Sequence, residues 1–373
     1  MSDAASPPQR LKSLDLLRLG LSLLIMLTHA RRLFEIEVPV WLTKGLLDGK
    51  GGVVLFFVLS GHVLTRSLKH VLISWDAGRQ FLIKRVFRLF PLYWVALVIT
   101  FAILTWIKST GADGPVTFLR QDGPGWGQWL LHSALLVPGM QSDFALPTVW
   151  SLMTESKVSL LAFPIFGWAM LRLPPWCVVG LTAMLVFGSD FLFTHVIGTA
   201  AYLGIFALGG LLARVPEGWW RRVPVPGWWA LLLAGCAAYS CMSLRYRLPN
   251  VWMGYYLCAG GGAAIIACVS YWTALSRRMH SLQSRIGVDL SYGIYLLHYP
   301  MLLAFCQFCG ASEVFHPLLA QAAMVATVAL AWFLAHAVEI PMSRLGRQLA
   351  GGRSTRSIAD TATGRPSVRD VSS

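Results

Sequence analysis

The chain is expected to fold as an all-α integral membrane protein of about ten transmembrane helices, with both termini in the cytoplasm. Three observations carry this expectation. Of the 373 residues, 56% are hydrophobic and only 13% charged, against about 25% charged in a soluble domain. The hydrophobic residues gather into runs near the length of about 20 residues that a bilayer core requires. The Arg and Lys residues concentrate between alternate runs, as they do in cytoplasmic loops.

The ten runs lie near 13–31, 50–68, 88–107, 150–171, 176–194, 198–214, 227–244, 252–273, 289–309 and 316–339. The first follows MSDAASPPQRLKS and imitates a signal peptide, but it ends at HARR and not at a small-residue cleavage site. It is therefore expected to stay as the first span. GQWLLHSALLVPG (127–139) is apolar but short, which points to an interfacial or re-entrant segment. Its His132 is assigned no role.

With a cytoplasmic N-terminus, 21 of the 31 basic residues fall on the inside, 8 fall outside, and Arg18 and Lys157 lie within spans. Arg79 and Arg278 should then be cytoplasmic and Asp113 external. The net charge of +14 is divided into short clusters between apolar runs, so it speaks for membrane topology and against nucleic acid. The seven cysteines lie in or beside apolar runs, without His at metal-site spacing, and read as small buried hydrophobes. No metal site is expected. The expected organisation is an N-terminal cytoplasmic segment 1–12, a membrane domain 13–348, and a polar, aperiodic tail 349–373 that is disordered.

Polar residues inside the runs identify the candidate site. Arg18 and His29 are eleven residues apart, so on a helix they share a face at about 16 Å separation. Asp15 and Ser22 fall on the same stripe. An isolated charge at the bilayer centre costs at least about 2.5–3.5 kcal/mol, so the stripe must face protein or a watery cavity. A guanidinium binds phosphate or carboxylate with two prongs, and an imidazole takes a hydroxyl proton near neutral pH. Blander readings stand beside these: an Asp15–Arg18 structural pair, and a bundle histidine satisfied by its neighbours.

Six segments follow one another along the chain: SLDLLRLGLSLLIMLTH, GVVLFFVLSGHVL, KRVFRLFPLYWVAL, TVWSLMTESKVSLLAFP, DLSYGIYLLHYPMLL and VEIPMSRLGRQL. Together, in this order, they resemble acyltransferase family 3, the multi-span membrane O-acyltransferases that modify sugars and some small molecules. The resemblance runs from Lys12 to Leu349. Its D-x-x-R and following histidine fall on Asp15, Arg18 and His29. F-F-x-x-S-G falls on Phe56, Phe57, Ser60 and Gly61, and R-x-x-R-x-x-P on Arg85, Arg88 and Pro91. W-S-L-x-x-E falls on Trp150, Ser151, Leu152 and Glu155. S-Y-x-x-Y-L-x-H falls on Ser291, Tyr292, Tyr295, Leu296 and His298, and the late E-x-P on Glu339 and Pro341. Two departures are His62 after Ser60–Gly61, and the stretch Ser156, Lys157, Val158, Ser159 after Glu155.

The resemblance implies an inner-membrane O-acyltransferase with no bound cofactor. It would take cytoplasmic acyl-CoA, above all acetyl-CoA, as donor and a hydroxyl of a surface or exported glycan, or its lipid-linked precursor, as acceptor. It implies His29 as general base or transient acyl carrier, and Glu155 as a residue that orients His29 or binds a sugar hydroxyl. Arg18, Arg85 and Arg88 would hold the donor, with Ser60, Tyr292 and His298 completing the substrate site. Beside these roles, Arg85 and Arg88 also read as positive-inside residues, and Ser60–Gly61 and Gly260–Gly262 as helix-packing positions. Glu155 also reads as a partner of Lys157 or of a loop, and His298 as a tyrosine-partnered packing residue. Acylation of a small molecule such as a macrolide is the rival within the family. A transporter or flippase is the rival outside it, but the repeated, interrupted halves of that class are not seen in the sequence.

Overall fold

The computed structural model describes residues 12–39, 42, 45, 47–71, 74–109, 148–187, 196–307 and 316–351. Segment 127–139, His132, Asp113 and the tail after Gly351 lie outside the described residues, as does the N-terminal segment before Lys12. In chain order the helices are α1 (Lys12–Leu33), α2 (Gly49–Val71), α3 (Trp75–Ser109), α4 (Val149–Ser156), α5 (Phe163–Arg172), α6 (Pro175–Phe187) and α7 (Val196–Leu212). There follow α8 (Glu217–Trp220), α9 (Val225–Ser240), α10 (Val251–Tyr271), α11 (Thr273–Ile286), α12 (Ser291–Cys306), α13 (His316–Leu334) and α14 (Ile340–Gly351). Among the described residues there is no strand.

The described parts of the ten apolar runs are largely helical, and among the described residues six helical stretches are long and apolar enough to cross a bilayer: 12–33, 49–69, 75–107, 225–247, 251–271 and 316–351. Shorter apolar helical stretches occupy Pro175–Met184 and Ala201–Leu212. The run 150–171 is interrupted for a local reason. A π-helical turn, Lys157–Leu161, follows α4, and Pro164 then opens α5. Proline has no N–H to continue the preceding ladder and is tolerated in the first turn of a new helix. The run 289–309 gives α12, which is 16 residues long.

Two expected boundaries move. The basic stretch before residue 88, read as loop, is helical and extends α3 back to Trp75, with Pro91 inside the helix. The C-terminal helix continues to Gly351, past the expected end at 348, because Gly346 sits against Phe87 and Ala350 is buried.

Two hydrophobic cores meet along α1. Leu14, Leu21 and Ile25 enter the core built on α2, α7 and α10, whereas Leu19, Met26 and Ala30 enter the one built on α3, α12 and α13. Between these faces runs the polar stripe of α1. There the Ser22 hydroxyl donates to the Ser291 carbonyl at 2.8 Å and to the Arg18 carbonyl at 3.1 Å. Seven residues later on both helices, His29 meets His298. Equal seven-residue steps in the same sense mean that α1 and α12 run parallel, in register by one heptad.

The closest crossing is between α2 and α7. A Cβ on Gly61 would overlap the Phe206 carbonyl, and one on Gly209 would overlap the Val58 carbonyl. Small residues let membrane helices approach to backbone distance. Gly61 therefore acts as the packing residue of the Ser60–Gly61 pair, which fixes the rotation of α2 and turns Ser60 the other way. In the glycine cluster, Gly261 lies against the Gly235 carbonyl and Gly262 against Leu55, while Gly260 faces open space.

Candidate active site

A cavity that opens to the protein surface lies on the seam between the two cores. Five helices contribute to its wall: Arg18 from α1, Ser60 from α2, Arg85 and Arg88 from α3, Ser151 and Glu155 from α4, and Tyr292 and Tyr295 from α12. Each comes from its own face of an apolar helix, so the cavity collects the polar side chains that lipid would reject.

Every guanidinium in the cavity has a carboxylate. Arg85 Nη2 lies 2.8 Å from Glu155 Oε1, Arg18 Nη1 lies 3.1 Å from Asp15 Oδ1, and Arg88 Nη2 lies 3.7 Å from Asp289 Oδ2. Ser60 Oγ also donates to Glu155 Oε1, at 3.3 Å. Asp289 is held in turn, because its Oδ1 accepts from the Ser291 hydroxyl at 2.6 Å and the Ser291 N–H at 3.2 Å. That is an Asx turn just ahead of Leu290, the N-cap of α12. The pairs are not sealed: the Arg88 side chain is 42% exposed and that of Glu155 28%. The guanidiniums keep N–H groups that an incoming polyanion can take, and charge-assisted contacts of this kind are about twice as strong as neutral ones.

The aromatic residues close the cavity. The Tyr292 hydroxyl donates to the Leu89 carbonyl at 2.8 Å, tying α12 to α3. The Tyr295 hydroxyl donates to the Thr148 carbonyl at 2.8 Å and is hydrogen-bonded to Ser151. The Tyr295 ring stands 5.9 Å from Phe56 on the cavity side and 5.9 Å from His298 behind it.

His29 and His298 stand beyond that partition. His29 Nδ1 lies 3.0 Å from His298 Nε2, the rings are stacked with centroids 5.1 Å apart, and Tyr299 meets His29 edge-on at 5.4 Å. His298 Nδ1 lies 3.0 Å from the Ile294 carbonyl, and the residue is fully buried.

Arg18, Ser60, Arg85, Arg88, Glu155 and Tyr292 thus share one cavity wall, while His29 and His298 form a second cluster that does not line it. Glu155, expected to orient His29 or to bind a sugar hydroxyl, has Arg85 and Ser60 as its partners. It was also read as a partner of Lys157, whereas one helical turn of α4 carries it toward α3. His298, expected in the substrate site or as tyrosine-partnered packing, is hydrogen-bonded to His29 and has the Tyr295 ring 5.9 Å from its own. The Asp15–Arg18 pair does form, and it forms on the cavity wall. Asp289 belongs to the charge network and was not singled out from the sequence. Its signal was an Asp two residues before a Ser at the head of an apolar run, which reads as a cap.

A family model described as an acyltransferase domain matches residues 11–336 of the chain. No curated protein and no solved structure matches it.

Proposed function

The chain belongs to acyltransferase family 3, and from that premise we propose that it carries an acyl group, most simply acetyl, from cytoplasmic acyl-CoA to a hydroxyl outside. The acceptor is a surface or exported glycan or its lipid-linked precursor, and the membrane is the bacterial inner membrane. The observation that supports this reading is the convergence of Arg18, Arg85 and Arg88 on one cavity, with a histidine pair behind its aromatic wall.

Acyl-CoA carries its charge at one end, on phosphates, and its thioester at the end of a long uncharged arm. The three guanidiniums match the charged end. The wall formed by Val53, Phe56 and Tyr295 matches the arm, and the histidine pair lies directly behind Tyr295. Glu155 keeps Arg85 aimed into the cavity. His29 accepts the proton of the acceptor hydroxyl as its oxygen attacks the thioester carbon, or takes the acyl group first and passes it on. In the first course the C–S bond breaks as the C–O bond forms, and the proton held by His29 passes to the departing thiolate. In the second the C–S bond breaks as an N–C bond to His29 forms, and that N–C bond breaks as the C–O bond forms. The hydroxyl proton then replaces the acyl group on His29 and passes on to the thiolate.

The test compares the surface glycans of a deletion strain with those of the same strain carrying the wild-type chain, by mass spectrometry. Loss of one acyl mass on deletion, restored by wild type and not by His29→Gln, is the expected result. Unchanged glycans together with loss of an acyl group from a secreted small molecule would move the acceptor to the rival class. Unchanged products of both kinds would overturn the reading.

A further inference from the structure

The hydrogen bonds behind the cavity assign a proton position that the sequence did not contain. The Ile294 carbonyl can only accept, so at 3.0 Å from it His298 Nδ1 must carry a hydrogen. In a neutral ring the other nitrogen, Nε2, is then bare. That bare Nε2 lies 3.0 Å from His29 Nδ1, and a contact of this length needs one N–H and one lone pair. Hence His29 Nδ1 carries the hydrogen, and His29 Nε2 is left with its lone pair.

We propose that His298 is the positioning residue that holds His29 in its Nδ1–H tautomer, with Nε2 presented as the reactive nitrogen. The proposal rests on His29 being the base of the reading above.

When His29 Nε2 takes the acceptor's proton, the ring becomes positive and its Nδ1–H bond to His298 Nε2 strengthens. The proton then passes to the departing thiolate, and both rings return to their starting form. Full burial of His298 restricts rotation of its ring, and the hydrogen bond to His29 is in place before substrate arrives. The outer residues of an active site that orient a catalytic histidine in this way govern its rate through tautomer choice.

Two measurements test the proposal on the full chain in nanodiscs. The first is ring-nitrogen NMR of ¹⁵N-histidine-labelled protein, with the signals assigned by single substitutions. His29 is expected as the Nδ1–H tautomer in wild type and in His298→Gln, whose amide can accept from His29 and donate to Ile294. In His298→Leu, which leaves His29 only the weaker contact to the Ile25 carbonyl one helical turn back, the Nδ1–H form of His29 is expected to lose population to the Nε2–H form.

The second is thiol release from acetyl-CoA with simple sugars added, alongside calorimetric acetyl-CoA affinity. Expected are a fall in kcat for His298→Leu of about 10²–10⁴-fold, the range from general-base loss to a fully wrong tautomer, and an unchanged donor affinity. His298→Gln should recover most of that loss, and Leu at 298 should add nothing in a His29→Gln background. A His29 that remains Nδ1–H in His298→Leu, or a loss that appears in donor affinity and not in kcat, overturns the proposal. Full activity of His29→Gln would instead overturn the underlying reading of His29.

Discussion

At the scale of single residues, the charges in the cavity are mutually dependent, and this decides what substitutions report. Arg85 and Glu155 are 2.8 Å apart and both largely enclosed. Removing one member of such a pair leaves the other charge uncompensated, which costs more than the pair contributes. Arg85→Ala should therefore lower both folded yield and donor binding, whereas Arg85→Ala with Glu155→Gln should regain folded yield and leave binding impaired. Thermal unfolding and acetyl-CoA titration of both variants separate the two effects. Equal melting of the single and double variants would mean that the pair is not coupled. Arg18→Ala is expected to weaken acetyl-CoA binding by about 1.5–3 kcal/mol, one charged hydrogen bond. At His29, Gln keeps hydrogen bonding but cannot take a proton near neutral pH. His29→Gln should insert and fold at normal levels yet turn over about 10²–10⁴-fold more slowly. Retention of more than about a tenth of wild-type turnover would make His29 a packing residue.

At the scale of elements, the site depends on two helix contacts that contain no catalytic residue. The α2–α7 crossing brings backbones together at Gly61 and Gly209. Gly61→Ala forces overlap with a carbonyl, which cannot give way as a flexible side chain can, so the helices must separate. Overpacking of this kind costs about 1–3 kcal/mol. The expected result is a lower melting temperature together with weakened donor binding, since Ser60 and the cavity wall move with α2. Gly260→Ala is the control, because nothing lies within 4 Å of a Cβ there. Comparable melting of Gly61→Ala and wild type would refute the crossing. The second contact is the N-terminus of α2, where Asp48 Oδ1 accepts from the Lys50 N–H at 2.9 Å and Oδ2 lies 2.9 Å from Arg245 Nη1. Asp48 thus joins a helix cap and an ion pair in one side chain, linking the first turn of α2 to the segment before α10.

At the scale of the whole molecule, the parallel, in-register packing of α1 on α12 places Arg18 and Ser291 toward one end of the bundle and His29 and His298 toward the other. If the end bearing Arg18 is cytoplasmic, Arg18 lies toward the compartment that holds acyl-CoA and the histidine pair toward the outside. Single-cysteine labelling checks this. A cysteine at position 79 or 278 should resist an impermeant maleimide in intact cells, and one at position 113 should react. Reaction at 79 without reaction at 113 would invert the orientation and with it the donor assignment.

The sequence by itself determined the class of molecule and the chemistry available to it. Hydrophobic run length, the distribution of Arg and Lys, and the order of short motifs are properties of the chain that do not depend on how helices pair. They sufficed to identify an acyltransferase-type membrane protein and to name Arg18, Ser60, Arg85, Arg88, Glu155, Tyr292, His29 and His298. Only the tertiary structure decided which of these residues meet. Helical periodicity places Arg18 and His29 on one face of α1, but it is silent on what stands opposite each of them. Ser60, Arg85 and Glu155 converge, although 95 residues separate Ser60 from Glu155, because the α2–α7 glycine crossing and the α3–α12 tie fix the rotation of helices far apart in sequence. His29 pairs with His298 across 269 residues because α1 and α12 pack in parallel heptad register. Side-chain partnership between helices is set by rotation and register, and these follow from close packing of whole surfaces, which no local stretch of sequence contains.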